Sequence, residues 1–143
     1  MYIEKINYNS AAYQEALQLR DIILRQPLGL QFSPEDIAAE VAQDHFACYN
    51  SENQIIGCFT MVKYDEKRYK MRQVAVNSSL QQQGIGRLML QFAQRWASEK
   101  GANCIFCHAR AEAGNFYLKN GYQIIGVPFT EVGIEHYKME ICW

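Results

Sequence analysis

The chain has no long apolar run. No stretch reaches the ~18 residues that a membrane-spanning helix needs, so no such segment is expected. It has no excess of either charge: 14 Lys plus Arg stand against 15 Asp plus Glu, a formal charge of -1. Neither sign gathers into a block that would follow a nucleic-acid backbone, which argues against broad nucleic-acid binding. The start, Met1-Tyr2-Ile3-Glu4-Lys5, lacks a basic region followed by an apolar stretch, and the expected location is cytoplasmic. Cysteine is limited to Cys48, Cys58, Cys104, Cys107 and Cys142. An odd set without a secretory leader is expected to be reduced thiols, mostly small core residues, rather than a disulfide framework. Repeats and low-complexity segments are also missing. What remains is 143 residues with 49% apolar, 20% charged and 13% aromatic side chains. That is too apolar for a disordered chain, and it predicts one domain over residues 1–143 that buries roughly 68–70% of its unfolded surface.

The order of elements is legible from periodicity. Ala11 to Leu24 reads as a helix with Ala12, Ala16, Leu19, Ile22 and Ile23 on its buried face and Ser10 as cap, interrupted by Pro27-Leu28-Gly29. Ser33-Pro34-Glu35-Asp36 joins a hydroxyl cap, a first-position proline and first-turn acids, predicting a second helix to about Asp44. His45 then reads as a helix-terminal cation. Phe46–Tyr49 and Gln54–Tyr64 form a hairpin around Ser51-Glu52-Asn53, and Tyr69–Val76 is a third strand. Ile85, Leu88, Met89, Phe92 and Trp96 mark the clearest helix, which runs to Lys100 before Gly101. Cys104–His108 is a strand, Glu112–Asn120 a short helix ended by Gly121, and Tyr122–Phe129 and Tyr137–Ile141 are closing strands. The class is α/β, with antiparallel and parallel pairs mixed in one sheet.

The strongest local signal is an apolar strand, Val74-Ala75-Val76, followed by Gln81-Gln82-Gln83-Gly84-Ile85-Gly86-Arg87 at a helix start. Glycines let the backbone turn left-handed and approach a ligand closely, while the free N–H groups and dipole of the helix favour an anion such as pyrophosphate. The plain alternative is a helix entry that needed a flexible turn. A dinucleotide fingerprint requires a third glycine where Met89 stands, and a P-loop requires Gly-Lys-Ser/Thr where the chain has Gly86-Arg87-Leu88.

Gln81-x-x-Gly84-x-Gly86 after a strand resembles the acetyl-CoA-binding motif of the GNAT superfamily of N-acetyltransferases. Downstream, Ala113-Gly114-Asn115-Phe116-Tyr117-Leu118-Lys119-Asn120-Gly121-Tyr122 is similar to the superfamily's Ala-x-x-Phe-Tyr-x-x-x-Gly-Phe/Tyr segment. Phe129-Thr130-Glu131-Val132-Gly133-Ile134-Glu135-His136-Tyr137-Lys138-Met139 looks like the ending of the ElaA-like branch, with Glu135 where proline is usual. The resemblance implies a mostly antiparallel sheet with one parallel pair at the cofactor cleft and about four flanking helices. It also implies that backbone N–H groups of Gln83, Gly84, Ile85, Gly86 and Arg87 bind the two phosphates of coenzyme A. Gln81 and Gln82 would lead into this turn, Arg87 and Lys119 would act as counter-charges, and Val74, Ala75 and Val76 would pair with the pantetheine arm. Tyr117 matches the tyrosine that can protonate the departing thiolate, uphill by about 1.5 pK units for free groups. Asn115 is a candidate cofactor contact, although the commonest pattern places its asparagine seven positions before the tyrosine, where this chain has Arg110.

Acetyl transfer requires an unprotonated amine, and a lysine-like amine is free base in about one molecule in 10³ at neutral pH. A base or water relay is needed. His136 and Glu131 in the family-like ending are candidates; the resemblance implies that a glutamate on the central strand can serve instead, but Tyr69–Val76 holds only Gln73, which favours His136 or a water chain. Arg20, Arg25, Pro27 to Leu30 and Phe32 are expected to border the acceptor pocket, without spelling out an acceptor. The function implied is acetyl transfer from acetyl-CoA to a primary amine of a small molecule or peptide. The alternative is a module of the same fold that senses acyl-CoA without turnover. Cys104-Ile105-Phe106-Cys107-His108 spells a haem-attachment pattern, but residues three apart on a strand face opposite ways and no second cysteine pair completes a zinc set. No metal is expected, and Cys107 and His108 read as strand residues. Exposed sheet edges make a homodimer reasonable.

Overall fold

In the computed structural model, which describes residues 1–143, Tyr2–Ile6 (β1), Asp44–Tyr49 (β2), Ile55–Lys63 (β3), Arg68–Val76 (β4), Cys104–Arg110 (β5), Gln123–Glu131 (β6) and Ile134–Cys142 (β7) form one sheet. The strand order is β1-β2-β3-β4-β5-β7-β6. Every neighbouring pair is antiparallel except β4 and β5. The helices are α1 (Ala11–Arg20), α2 (Pro34–Ala38), α3 (Ile85–Glu99) and α4 (Gly114–Lys119). This is the mixed sheet and helix count implied by the resemblance.

β3 is buried along most of its length because the sheet is covered on both faces, and a strand so placed has no solvent side to alternate toward. On one face α3 presents Ile85, Met89, Leu90, Ala93 and Ala97 to a core that includes Phe46, Phe59, Met61, Met71, Ile105 and Met139. On the other face Tyr13 and Ala16 of α1 pack on Ile6, Ala47, Cys58 and Ala75.

The N-terminal helices differ from expectation. Ser10 does cap α1, its hydroxyl accepting from the Tyr13 N–H at 3.1 Å. After Arg20, however, the helix widens into a π-turn, Asp21–Arg25, and then a 3-10 turn ended by Gly29 at φ 70°. The inward residues are Tyr13, Ala16 and Arg20, and Ile22 is 54% exposed. The second helix starts as expected, with a reciprocal Ser33–Asp36 capping box, but stops at Ala38 rather than near Asp44. Residues 39–43 turn back instead, and β2 begins at Asp44, which pairs with Met61 of β3 and whose carboxylate takes Lys5 of β1 at 2.8 Å.

The turn between α2 and β2 drives Glu40 inward. Arg20 donates to both carboxylate oxygens, at 2.7 Å to Oε1, and the Tyr13 hydroxyl donates to Oε1 at 2.9 Å. His45 is not a helix-terminal cation. It is 3% exposed on β2, its Nε2 donating to the Glu40 carbonyl at 2.9 Å while the Thr60 hydroxyl faces Nδ1 at 3.4 Å. Burial pushes its pKa down and keeps the ring neutral. The Glu40 carboxyl is opposed by burial, but the Arg20 guanidinium prevails and holds it below the ordinary carboxylate range.

One disulfide is present, contrary to the expectation of reduced thiols throughout. The antiparallel register of β5 and β7 sets Cys104 opposite Cys142, with Cα atoms 4.1 Å apart. Cys48, Cys58 and Cys107 are free and buried. Cys104 and Cys107 therefore never act as a pair. The one grouping of side chains close enough to hold an ion, Cys104, Glu140 and Cys142, is built on the disulfide itself.

Glu40→Gln should cost about 3–5 kcal/mol in urea unfolding, because it strands the Arg20 charge in a dry site. Both Glu40 and His45 are depressed in the folded state, so the folded chain binds fewer protons than the unfolded one as acid is added. Stability should hold above pH 6.5, fall as the unfolded chain begins to protonate His45, and fall again below pH 4.5 as Glu40 is affected. His45→Gln should remove the upper step alone. Cys104→Ser should lower stability under oxidising conditions by about 4 kcal/mol, the loop-closure value for a 38-residue separation, with little effect once thiols are reduced.

Candidate functional site

β4 and β5 pair in parallel from Arg68–Cys104 to Met71–Cys107 and then part. Beyond that point β4 stays with β3 and β5 stays with β7, so each keeps one strand partner and presents a free edge to the gap. Gln73, at φ 55°, sits where the β3–β4 register shifts, and the chain bends there. Such a bulge re-aims the strand. The result is a cleft of about 1460 Å³ that opens through the sheet.

One end of the cleft is built by the turn before α3. The Asn77 side chain accepts from the Ser79 N–H at 3.0 Å, and the Gln81 amide donates to the Val76 carbonyl at 3.2 Å. Gln82 (φ 68°) and Gly84 (φ 83°) then turn left-handed into the helix. No side chain caps α3, so the N–H groups of its first turn point outward without an acceptor. Gly86 serves a different need. A Cβ there would lie 2.7 Å from Cζ of Phe116, because α4 packs across the start of α3. Val74, Val76, Gln81, Gln82, Gly84, Ile85, Gly86, Arg87 and Lys119 all line the cleft. Three predicted contacts do not: Ala75 faces the α1 core, and Gln83 and Asn115 are exposed outside the lining.

Tyr117 reaches the point where the strands part. It is 6% exposed, stacks edge-on with Phe116 and Tyr122, and lies beside Cys107, the last residue of β5 that pairs with β4. Burial holds the phenol far above its ordinary pKa and pushes the Cys107 thiol up to about 12, so both stay protonated.

The far wall comes from the β6–β7 hairpin. Val132 (φ 46°) and Gly133 (φ 79°) make a two-residue turn with both centres left-handed, the type matched to strand twist. It places Glu131 beside two imidazoles. Its Oε1 accepts from His108 Nδ1 at 3.2 Å, and its Oε2 lies 3.7 Å from His136 Nε2. The ring of His136 is fixed by a 3.0 Å contact from Nδ1 to the Ile134 carbonyl, and it stacks on Phe129. The predicted pair Glu131 and His136 is therefore brought together, and His108, read from the sequence as an ordinary strand residue, completes it. The signal was alternation: His108 and Arg110 share one face of β5, opposite Lys138 and His136 of β7. Arg110 donates to the Leu24 carbonyl and ties the π-turn to the cleft, so Ile23, Leu24 and Arg25 line it. Arg20, Pro27 and Phe32, expected there, do not; Arg20 is committed to Glu40.

Residues 11–142 match the family model described as the acetyltransferase (GNAT) domain. The uncharacterized protein YyaT of Bacillus subtilis (strain 168) is 27% identical over 143 residues, covering 97% of this chain and 94% of YyaT. Among solved structures, a GNAT family acetyltransferase from Elizabethkingia anophelis with acetyl-CoA bound superposes with TM-score 0.75 at 21% identity, over 99% of this chain and 97% of the other. Escherichia coli ElaA superposes with TM-score 0.77 at 18% identity, over 98% and 99%. The solved structures share the fold, the family model spans most of the sequence, and the chain belongs to the GNAT acetyltransferase family.

Proposed function

We propose that the protein transfers an acetyl group from acetyl-CoA to a primary amine by direct attack on the thioester. The observation that carries this reading is the single cleft that brings an uncapped helix start, the Tyr117 hydroxyl and the Glu131–histidine cluster to one gap in the sheet.

The outward N–H groups of Gly84 to Arg87 suit the diphosphate, with Arg87 and Lys119 as counter-charges. The free edge of β4 at Val74 to Val76 suits the amides of the pantetheine arm. When bound, acetyl-CoA supplies the activated acyl group. For the acceptor, His108 is the better base of the two histidines. Its Nδ1–H donates to Glu131, leaving the Nε2 lone pair free, and its side chain is 28% exposed against 5% for His136. Glu131 fixes the tautomer and stabilises the imidazolium that forms, while His136 positions Glu131. The ammonium proton passes to His108 Nε2, directly or through water. The amine nitrogen then bonds to the carbonyl carbon, the C–S bond breaks with its electron pair on sulfur, and the second proton on the acylated nitrogen leaves to water. Tyr117 serves as a fixed hydrogen-bond donor to that sulfur. Full proton transfer from so deeply buried a phenol is steeper than free pKa values suggest, and the thiolate takes its final proton from the medium.

Acetyl-CoA should raise the melting temperature, and no shift at millimolar ligand would remove the reading. Gly86→Ala should weaken acetyl-CoA binding about 10-fold by displacing the Phe116 ring, and adding Phe116→Leu should restore most of it; ligand titration by calorimetry tests both. In an assay of thiol release with an accepted amine, Tyr117→Phe should lower kcat about 10²-fold with little change in acetyl-CoA affinity. His108→Gln should lose about 10²-fold at pH 7 and recover as rising pH deprotonates the amine without help, whereas a structural lesion would not recover.

A further inference from the structure

The sheet face opposite α3 carries a concentration of positive charge that the cofactor reading leaves unused. Alternation along β4 sends Tyr69 and Met71 into the core beneath α3, so Lys70 and Arg72 project from the other face. The parallel register puts Lys70 beside Phe106, and Phe106, His108 and Arg110 follow on the same face of β5. The π-turn, tied down by Arg110, adds Arg25, which is stacked on Phe32. Lys70, Arg72, Arg110 and Arg25 all line the cleft, and all are half-buried.

None of the four has a carboxylate in ion-pair range. The ion pairs of the molecule are Lys5–Asp44, Arg20–Glu40, Lys63–Glu66, Arg68–Asp65 and Glu131 with the two histidines. Of the other nearby charges, Lys138 lies over the Phe106 ring and adds to the positive field. Asp36 feels Arg25 and Arg72 but is held by the Ser33 capping box. Glu112, also on the lining, is exposed, and Glu131 is engaged by His108 and His136. Burial, and then the neighbouring Arg72 cation, depress the Lys70 ammonium; they outweigh the opposing pull of Glu131. Cations gathered in a half-dry cleft without a carboxylate to neutralise them favour an anion and repel a second cation.

We propose that the acceptor is a primary amine that also bears an oxyanion, carboxylate or phosphate, seated on Lys70, Arg72, Arg110 and Arg25 with its amine toward His108. The proposal rests on the acetyltransferase reading for the identity of the amine as acceptor. The anion subsite itself is a binding property and is testable without turnover. Diamines and other polycationic amines become the disfavoured class. The cofactor phosphates do not compete for these side chains, because the uncapped start of α3 lies on the opposite face.

A four-carbon series separates the possibilities: 4-aminobutanoate, 4-amino-1-butanol and 1,4-diaminobutane, with phosphoethanolamine as the phosphate arm. Thiol release with acetyl-CoA should give kcat/KM at least 10²-fold higher for an oxyanion-bearing amine than for the diamine, with the alcohol between. The better of the carboxylate and phosphate arms identifies the anion. Arg72→Gln should raise KM for that amine about 10-fold, leave the acetyl-CoA dissociation constant unchanged, and improve the diamine. Arg72→Glu should invert the preference, a result that a merely structural role would not produce. On the CoA-saturated protein, inorganic phosphate and 4-aminobutanoate should raise the melting temperature more than 4-amino-1-butanol does, and Lys70→Met with Arg72→Gln should abolish the difference. Equal or better turnover of the diamine, or no preference for anions on the CoA-saturated protein, overturns the proposal. Loss of the acetyl-CoA shift itself would instead overturn the acetyltransferase reading.

Discussion

The molecule depends on one interrupted interaction, the parallel pairing of β4 and β5 that ends at Met71 and Cys107. A continuous sheet buried on both faces would be a wall between the α1 side and the α3 side. Parting the strands turns that wall into a passage. The gap persists because each strand keeps its other partner: β3 holds β4 through the bulge at Gln73, and β7 holds β5 to its end at Arg110. Backbone edges that would be a liability at a sheet margin are sheltered inside a cleft, where a ligand with amide groups can satisfy them.

The two sides of the gap are electrostatically different. On the α3 side the positive character comes from aligned N–H groups at a helix start, with Gly84 permitting the turn and Gly86 making room for Phe116. On the other side it comes from side chains that the fold half-buries without a neutralising carboxylate. A chain with a net charge of -1 therefore concentrates positive potential where its geometry is most open to ligands. The Arg20–Glu40 pair, with Tyr13 and His45 around it, anchors the π-turn that carries Leu24 and Arg25 to the rim. A buried ion pair is weak evidence for added stability but good evidence for a fixed arrangement, since neither partner tolerates being left alone.

What could be read from the sequence was local. Gly84-Ile85-Gly86 after an apolar strand, and Phe116-Tyr117 before Gly121, are short-range patterns whose physical requirements lie within one turn of chain. The long α3 was legible because its period matches a one-sided helix. What could not be read depends on which distant segments meet. Cys104 and Cys142 face each other only through the β5–β7 register, and no spacing rule on five cysteines selects that pair. His108 gains its partner from a hairpin tip more than twenty residues away. The second helix gives way after Ala38 to a turn that carries Glu40 to Arg20, a tertiary contact that a strong capping box cannot anticipate. Lys70 and Arg72 carry no local signal in the sequence, and only the neighbouring strands show that no carboxylate meets them.

The central claim is that the gap between β4 and β5 receives acetyl-CoA along the β4 edge and the first turn of α3. Amide hydrogen exchange with and without acetyl-CoA tests it most directly. Exchange should slow at residues 83–87 and 74–76, with β1 and β2 unchanged. Unaltered exchange at those amides in protein saturated with acetyl-CoA, or protection confined to another part of the sheet, would contradict it.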